Sequence, residues 1–323
     1  MEKVRVGVIG VGYLGRFHAQ KYRLMEDVEL VGVVDVDEER AIGIASETGS
    51  RAFTRYQDII GMVDAVSIVV PTHLHFEISK TFLENDIDVL IEKPMTTTLD
   101  EADTLIHISE QKGPIIQVGH LERFNPAVVA LEKVVDQPMF IESHRLSTFK
   151  ERGTDVDVVL DLMIHDIDII LNFVKSNIKK IDSAGVPVIS SSTDIANARL
   201  TFENGCVANV TASRISMKNM RKIRIFQKNA YISVDYANQC ITIIRKNGID
   251  KIGIIPGMDV ERIKFSDVDP LEAELRAFVD SVRTRKVPPV SGRDGRKALK
   301  VALGIMDQIK RLAKKQFGGR YSF

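Results

Sequence analysis

The sequence predicts an α/β protein of two domains, in which a parallel sheet is followed by a mostly antiparallel one. In the first third, apolar β-rich runs alternate with helical patterns, which is typical of a parallel sheet covered on both faces. Later strands show period-two alternation, as in DIANARLTFENGCVANVTA, where Asn204-Gly205 favours a hairpin. The chain has 323 residues, more than one hydrophobic core usually serves. We therefore divide the chain into a domain of residues 1–120 and a domain of residues 121–323. The last helix, although part of the second segment, can still pack against the first domain.

The predicted elements follow this division in order. The first domain alternates strands and helices through KVRVGVIG, LGRFHAQKYRLM, VELVGVVDV, DEERAIGIASETG, DAVSIVVP, HFEISKTFLEND, DVLIEKP, DEADTLIHISEQKG and PIIQVGH. The second domain opens with the strand FIESHRLSTF and the helix DVDVVLDLMIHDIDIIL. Antiparallel strands with one polar face then run through KIRIFQKNAYISVDY and QCITIIRKNG, and two amphipathic helices, PLEAELRAFVDSVRTRK and GRKALKVALGIMDQIKRLAKK, close the chain.

The composition of the chain excludes some classes of partner and favours a cellular location. There are 44 basic and 44 acidic residues, so the chain lacks the basic field of a general nucleic-acid binder. Cys206 and Cys240 are the only cysteines, which fits a reducing cytoplasm better than a disulfide framework. No apolar run reaches the ~20 residues that span a bilayer, and the N-terminus lacks the layout of a signal peptide. We expect a cytoplasmic protein with neither nucleic acid nor membrane as a partner.

A dinucleotide-binding motif lies at the first strand–helix junction. GVGYLG matches GxGxxG there, and Asp35 follows 20 residues after the last glycine at the end of the second strand. Asp35 is expected to bind the ribose 2′-hydroxyl and so to favour NAD over NADP, with Arg40 too far along the chain to reverse that preference. The alternative is a glycine-rich turn without a ligand. The loop residues assigned to the cofactor are Gly10, Gly12, Tyr13, Leu14 and Gly15.

Two further strand ends carry polar residues. Ligands of open α/β sheets bind outside the carboxyl ends of the strands, so these residues are expected to border the cofactor. Lys93 directly follows a strand, and Pro94 restricts it to extended conformations, which directs its ammonium towards the nicotinamide. The alternative is a solvated surface lysine. The assigned residues are Pro71, Thr72 and His75 in VPTHLH, and Glu92 and Lys93 in EKP.

The helix DVDVVLDLMIHDIDIIL is mostly apolar but carries a stripe of polar residues. Positions spaced by three or four lie on one face, and here they read Asp157, Asp161, His165, Asp168 and Asn172. One interpretation is the solvated face of an amphipathic helix; the other is the wall of a cleft, since the stretch has neither lysine nor glutamate. Asp155 and Asp166 fall outside the stripe and are interpreted as a cap and a local structural contact.

Together these motifs resemble the glucose–fructose oxidoreductase / inositol dehydrogenase (Gfo/Idh/MocA) family. The matching stretches are GVGYLG, EKP, VGHLERFNPA and the D-xxx-H spacing of Asp161 and His165, and the resemblance covers essentially the whole chain. It implies an N-terminal NAD-binding Rossmann domain, and a C-terminal α/β domain with a large open sheet for substrate binding and oligomerisation. It also implies a catalytic trio of Lys93, Asp161 and His165.

The residue types of this trio suit the oxidation of a secondary alcohol. Histidine titrates near neutrality, so His165 is our candidate for the base that accepts the hydroxyl proton. Asp161, one turn earlier, is suited to hold the imidazole and stabilise its charged form. Lys93 is suited to polarise the hydroxyl oxygen, and an exchange of roles between Lys93 and His165 stays open.

The same resemblance suggests a substrate. Within the family, VGHLERFNP and SHRLSTFKERGTDVDVVLDLMIHDIDIIL are most similar to members that oxidise C3 of UDP-N-acetylglucosamine. His120 and Asn125 are candidates for contacts to the sugar or nicotinamide, although Asn125 is equally suited to cap a helix that begins at Pro126. A diphosphate requires cations, and each candidate has the alternative of a surface residue. The candidate cations are Arg123, Lys150, Arg152 and Arg214.

Other functions stay open at this point. The alternatives are an inositol or free-sugar dehydrogenase, an NAD-dependent glycosidase of the same fold, and a non-catalytic NAD sensor, against which the intact trio argues. We expect no metal site, because His73, His75, His144 and His165 form no recognisable ligand set. Relatives commonly pair through the open sheet face, so we expect a homodimer or homotetramer.

Overall fold

The computed structural model of the chain describes residues 2–149, 156–246, 257–265 and 268–317. The chain groups into two compact units. Unit 1 comprises Met1–Phe124 and Asp269–Leu299, and unit 2 comprises Asn125–Val268 and Lys300–Phe323. Unit 1 thus takes up a late segment that the division at residue 120 counted with the second domain; that division stays a prediction about the domains.

Unit 1 is built on a six-stranded parallel sheet. Its strand order is β3-β2-β1-β4-β5-β6, so the chain starts in the middle of the sheet and reverses direction between β1 and β4. Ligands of such sheets bind at this reversal point. The elements are β1 Val4–Ile9, α1 Tyr13–Arg23, β2 Val28–Val34, α2 Glu38–Thr48, β3 Arg51–Phe53, β4 Ala65–Ile68, α3 His75–Glu84, β5 Asp88–Glu92, α4 Leu99–Lys112, β6 Ile116–Gly119 and, later in the chain, α7 Pro270–Thr284.

The core of unit 1 forms because its strands are apolar on both faces. Val6 and Val8 of β1 and Val33 of β2 are fully buried, as a sheet covered on both sides requires. Tyr22 of α1 and Phe278 of α7 belong to the same cluster. The predicted parallel sheet with helices on both faces is confirmed.

Unit 2 is built on an eight-stranded sheet of order β14-β13-β12-β11-β7-β10-β9-β8. Its neighbouring strands are antiparallel except β7 and β10, which are parallel. The elements are α5 Pro126–Leu131, β7 Pro138–Leu146, a π-helical turn Val159–Met163, α6 Ile164–Phe173, β8 Ile178–Val186, β9 Ile195–Phe202, β10 Val207–Ser213, β11 Met220–Gln227, β12 Ala230–Asp235, β13 Cys240–Lys246, β14 Met258–Lys264 and α8 Gly292–Phe317, whose first residues belong to unit 1.

The two faces of this sheet differ as the alternation predicts. Ala198 and Leu200 of β9 are fully buried, whereas Asn197 and Arg199, which alternate with them, are exposed. Gly205 has a φ of +88° in the hairpin that joins β9 to β10. The mostly antiparallel sheet is confirmed. Within the described ranges, none of the helices combines the length and apolar character that a membrane span requires.

Candidate active site

The glycine loop between β1 and α1 is shaped by close backbone approaches. Gly10 has a φ of +83°, and a Cβ atom there would lie 2.6 Å from the Val69 carbonyl oxygen. A Cβ atom on Gly15 would lie 1.8 Å from the Gly10 carbonyl oxygen. Gly12 differs, because a Cβ atom there would meet nothing within 4 Å. Gly10 and Gly15 are therefore needed for the turn itself, and Gly12 borders open space.

This open space lies at the N-terminus of α1. Gly12 is the N-cap residue of α1, and no side chain caps the helix. An uncapped helix N-terminus presents backbone N–H groups and a positive dipole end, which suits a pyrophosphate. Tyr13 and Leu14 in the first turn are 63% and 47% exposed. The loop therefore fits the dinucleotide that its sequence predicts.

Asp35 lies just after β2 and is already engaged by the loop. Its Oδ2 accepts the Val11 N–H at 3.0 Å, and its Oδ1 accepts the Asp37 N–H at 3.0 Å. Arg40 Nη1 donates to the same Oδ1 at 3.1 Å. Arg40, which was expected to lie too far along the chain to reverse the preference for NAD, does contact Asp35, because α2 begins at Glu38 and its first turn brings Arg40 back to the end of β2. The ribose position thus has both a carboxylate and a cation.

The segment after β4 carries Pro71, Thr72 and His75. Pro71 is exposed and Thr72 partly buried, and Pro71 precedes a 3₁₀ turn over Thr72–Leu74. His75 is 1% exposed, with its ring nitrogens 2.8 Å from the Val70 carbonyl oxygen and 2.9 Å from that of Pro94. Burial lowers the pKa of His75 despite these two carbonyl partners. His75 therefore links the segments that follow β4 and β5. The sequence predicted a cofactor contact for this residue and did not predict this structural role.

Glu92 at the end of β5 lies between His18 and Lys93. Its Oε1 is 3.4 Å from His18 Nε2, and its Oε2 accepts the Lys93 N–H at 3.2 Å. Burial by itself raises the pKa of Glu92, but the hydrogen bond and charge of His18, with the charge of Lys93, bring it below its usual value. Lys93 is partly buried, and its bond to Pro94 is cis. Glu92 is thus an internal counter-charge beside Lys93.

The neighbouring strand end brings His120 to the same edge of the sheet. Glu92 pairs with Gly119 in the β5–β6 ladder, so Lys93 and His120 each follow one member of that pair. His120 is 1% exposed. Its carbonyl oxygen accepts the N–H of Arg123 at 2.9 Å, and Arg123 is partly buried in the turn that follows. The structure therefore groups Lys93, His120 and Arg123 in unit 1.

Two of the predicted substrate-binding residues in unit 2 instead make hydrogen bonds to the protein backbone. Asn125 caps α5, since its Oδ1 accepts the Ala127 N–H at 3.1 Å, and its Nδ2 donates to the Tyr236 carbonyl oxygen at 3.2 Å. The cap interpretation is confirmed. Arg214 is 5% exposed, and its Nη2 donates to the Val156 carbonyl oxygen. The other candidates in this stretch, Lys150 and Arg152, and the predicted cap Asp155, lie outside the described residues.

Asp161 and His165 lie on successive turns of one helix. Asp161 belongs to the π-helical turn Val159–Met163, and His165 is the second residue of α6. π-Helical turns are rare and occur frequently at functional sites. Both side chains are partly buried, so both reach the surface of unit 2. The structure thus brings these two predicted catalytic residues together.

The polar stripe is interrupted at Asp168, whereas its other members, Asp157, Asp161, His165 and Asn172, are partly buried. Asp157 acts as a cap, because its Oδ1 accepts the Val159 N–H at 2.9 Å. Asp168 is 1% exposed, so it belongs to the buried side of α6. The π-helical turn changes the angular position of residues relative to a regular α-helix, which the spacing argument assumed. The part of the stripe with access to the surface centres on Asp161 and His165.

A buried ion pair next to His165 was not found from the sequence. Arg145 of β7 donates from Nε to Asp166 Oδ2 at 2.8 Å and from Nη2 to Asp166 Oδ1 at 3.2 Å. The guanidinium also lies 5.5 Å from the centre of the Tyr236 ring. Asp166 makes a structural contact, as predicted, but its partner is 21 residues away and not local. The available signal was Arg145 itself, which shares the period-two face of buried Ile141 and therefore needs a partner.

Metal ligands were considered for the same region. Within the described ranges, no group of three or more histidine, cysteine, aspartate or glutamate side chains has the arrangement to hold a metal ion. Hydride transfer to a nicotinamide requires none.

Comparison with known proteins assigns both parts of the chain. Residues 4–120 match the family model described as an oxidoreductase family with an NAD-binding Rossmann fold. Residues 128–233 match the GFO/IDH/MocA C-terminal domain.

The chain belongs to the Gfo/Idh/MocA oxidoreductase family.

Individual relatives agree with this assignment. UDP-N-acetylglucosamine 3-dehydrogenase of Acidithiobacillus ferrooxidans is 38% identical over 306 residues, which cover 94% of this chain and 97% of that protein. A solved structure of that enzyme has a TM-score of 0.90 at 36% identity, covering 96% of this chain and 99% of its own. Myo-inositol 2-dehydrogenase of Thermotoga maritima is 24% identical, covering 92% of this chain and 93% of its own. The fold is shared with scyllo-inositol dehydrogenase of Lactobacillus casei, solved with NAD(H) and scyllo-inositol, with a TM-score of 0.81 at 19% identity over 96% of this chain and 98% of that one.

Membership in the Gfo/Idh/MocA family establishes the reaction class. The chain is an NAD-dependent dehydrogenase, and the predictions of enzyme class, Rossmann fold and NAD cofactor are confirmed. In this Gfo/Idh/MocA chain, the geometry of the glycine loop and of Asp35 is suited to binding NAD.

Proposed function

We propose that this dehydrogenase oxidises a secondary hydroxyl of a sugar, and that the hydroxyl is on C3 of UDP-N-acetylglucosamine. The observation that carries the proposal is the similarity to a UDP-N-acetylglucosamine 3-dehydrogenase along nearly the whole of both chains. Similarity of that extent includes the segment from His120 to His165, where the substrate residues are predicted. The product is the corresponding 3-keto sugar nucleotide.

The proposed chemistry assigns a role to each member of the trio. NAD, when bound, supplies the acceptor for the hydride that leaves C3. His165 takes the hydroxyl proton, so the C3–O bond becomes a carbonyl as the C–H bond breaks. Asp161 holds the imidazole and stabilises its charged form, and Lys93 polarises the hydroxyl oxygen. General-base catalysis typically contributes about 10²–10⁴-fold to a rate.

The predicted binding residues now divide into two groups. We retain Arg123 and Arg152 as the cations for the diphosphate and His120 as a candidate contact to the sugar or nicotinamide. Asn125 and Arg214 are instead assigned to structure, because Asn125 caps α5 and Arg214 is buried against Val156.

The assembly and its location are also proposals. One face of the unit 2 sheet carries the partly buried rings of Phe140, Phe226 and Tyr231, which contact each other at tilted angles across β7, β11 and β12 with centroids 5.8 and 5.1 Å apart. We propose a homodimer or homotetramer through this face, to be measured by sedimentation velocity. A reducing cytoplasm stays the predicted location, with Cys206 and Cys240 buried and unbridged.

The substrate is tested by following NADH formation with a panel of sugars. Stoichiometric NADH with UDP-N-acetylglucosamine, and none with N-acetylglucosamine, glucose or the inositols, supports the proposal. Turnover of myo- or scyllo-inositol alone supports the inositol dehydrogenase alternative. Sugar release without net NADH supports the glycosidase alternative.

The assignment of the base is tested with His165→Asn and Lys93→Met. If His165 is the base, His165→Asn loses about 10²–10⁴-fold in kcat and also loses the acid limb of the pH–rate profile, whereas Lys93→Met lowers kcat but keeps that limb. The opposite pattern assigns the proton to Lys93. NAD binding, measured by calorimetry, serves as the control for an intact cofactor loop.

A further inference from the structure

Glu274 of α7 is a buried carboxyl group inside unit 1. It is 0% exposed, and neither carboxyl oxygen has a hydrogen-bond partner among residues 2–149, 156–246, 257–265 and 268–317. A buried carboxylate without partners is costly, whereas a neutral carboxylic acid is much less so. Such a group is therefore expected to be protonated or to serve a neighbour.

The surroundings of Glu274 come from three other elements. From β6, Gln117 Nε2 donates to the Glu274 backbone carbonyl oxygen at 3.0 Å. From α1, Tyr22 is fully buried and its hydroxyl lies 2.8 Å from Ser67 Oγ; burial raises its pKa well above the usual value, so it stays neutral. From β5, Glu92 acts on Glu274 as a like charge.

Glu92 and Glu274 differ in what stabilises their charge. Burial, followed by the charge of Glu92, raises the pKa of Glu274 well above its usual value. Burial also acts on Glu92, but its contact with His18, 3.4 Å away, and the charge of Lys93 lower its pKa. When two interacting carboxyl groups have such different surroundings, one keeps a proton while the other is ionised.

The absence of a side chain at Gly119, the last residue of β6, makes room for this arrangement. A Cβ atom on Gly119 would lie 3.0 Å from the Glu92 carboxyl carbon and 3.1 Å from its Oε1. The Glu92 carboxyl group therefore occupies the space beside β6, the strand from which Gln117 reaches Glu274. His18 and Lys93 are the basic groups beside Glu92.

We propose that Glu274 carries the proton of a carboxyl pair with Glu92, which leaves Glu92 as the ionised member of the pair beside Lys93. The pair then bears one negative charge, held on Glu92, where His18 and Lys93 stabilise it. A second carboxylate charge on Glu274 would repel the charge on Glu92. This inference rests on the proposed function only in assigning Lys93 a part in the reaction.

The proton on Glu274 is tested by thermal and urea unfolding of Glu274→Gln at several pH values. Because the folded state keeps a proton that the unfolded chain releases above about pH 4.5, the stability of the parent falls relative to the variant as pH rises. The ratio of their unfolding constants is expected to change up to tenfold per pH unit. The control is Asp280→Asn, an exposed carboxylate on the same helix.

Parallel pH curves for the parent and Glu274→Gln would overturn the proposal. If Glu274→Gln does not fold, infrared spectroscopy of the parent at neutral pH supplies the test. A carbonyl band of a protonated carboxylic acid that resists solvent exchange supports the proposal, and its absence contradicts it.

The effect on Lys93 is tested by competitive acetylation against pH, with mass spectrometry of the peptide that contains it. Glu92→Gln is expected to change the labelling of Lys93, because it removes the neighbouring carboxylate, and Glu274→Gln to leave it unchanged. The reverse pattern would place the charge on Glu274 and overturn the proposal. This readout requires no sugar, so it separates failure of the inference from failure of the proposed substrate.

Discussion

Asp166, the residue after His165, is held by two hydrogen bonds to Arg145 of β7, at 2.8 and 3.2 Å. Both side chains are buried, and the guanidinium also rests over the ring of Tyr236. Because Asp166 is tied to the sheet, α6 cannot rotate about its axis without breaking the pair. The ion pair thus fixes the direction in which neighbouring His165 leaves the helix.

Asp166→Asn leaves the Arg145 guanidinium buried without its counter-charge. We expect a loss of about 3–5 kcal/mol in the free energy of unfolding, measured by urea denaturation. The control is the double substitution Arg145→Met with Asp166→Leu, which removes both charges and is expected to recover most of that loss. A single-variant cost below about 1 kcal/mol would show that the pair does not anchor the helix.

The hydrogen bonds of Asp194 allow a prediction of how the free energy of unfolding changes at low pH. Its Oδ2 accepts the N–H groups of Val188, Ile189 and Ser190 at 2.7, 2.7 and 2.9 Å, and its Oδ1 accepts the Ser190 hydroxyl at 2.6 Å. Burial opposes ionisation, but these donors outweigh it and lower the pKa of Asp194 to about 2.

Because this pKa is lowered on folding, the stabilisation is present above about pH 4 and is lost as pH falls through about 2. The contribution corresponds to about 2 kcal/mol at neutral pH. Asp194→Asn is therefore expected to be less stable at pH 7 and to approach the parent near pH 2, in urea titrations across this range. A constant difference at every pH would contradict the assignment.

The glycine loop offers a substitution that separates cofactor binding from folding. A Cβ atom on Gly12 meets nothing within 4 Å, so Gly12→Ala is expected to fold normally while its methyl group obstructs the pyrophosphate. We expect NAD affinity to fall by about tenfold or more in calorimetry. Gly43→Ala in α2, which also meets nothing within 4 Å, is the control and is expected to gain about 0.5–1 kcal/mol in stability without changing NAD affinity. Unaltered affinity of Gly12→Ala would place the pyrophosphate elsewhere.

The contact between Asp35 and Arg40 predicts how cofactor preference can be changed. Asp35→Ser removes the carboxylate that repels a 2′-phosphate and leaves the Arg40 guanidinium beside the ribose position. The ratio of kcat/KM for NADP to that for NAD is expected to rise on the order of 100-fold. Adding Arg40→Ala in that background is expected to reverse the rise. If the double variant keeps the raised ratio of kcat/KM, Arg40 does not reach the 2′-phosphate.

Local chemistry explains which features could be predicted from the sequence. GVGYLG and Asp35 identify the dinucleotide loop because the tight turn and the ribose contact depend on neighbouring residues. The position of Arg40 was missed because it depends on where α2 begins. The spacing also placed Asp168 on the accessible face, but a π-helical turn precedes α6 and Asp168 is buried.

Long-range partners explain most of what could not be predicted. Asp166 finds its cation 21 residues away, on a strand whose register the sequence does not state. Glu274 did leave a signal, because it lies three residues after Leu271 and four before Phe278, on the apolar side of an amphipathic helix. Its neighbour Glu92 comes from a different part of the chain, so the pairing became visible only in the folded unit.

The proposed oxidation of C3 is tested most directly with UDP-N-acetylglucosamine deuterated at that carbon. We predict that the deuterium appears in the reduced cofactor, that the sugar product is the 3-keto nucleotide, and that turnover shows a primary isotope effect under single-turnover conditions. Deuterium retained in the sugar product, or a reduced cofactor formed without it, would contradict the proposed function.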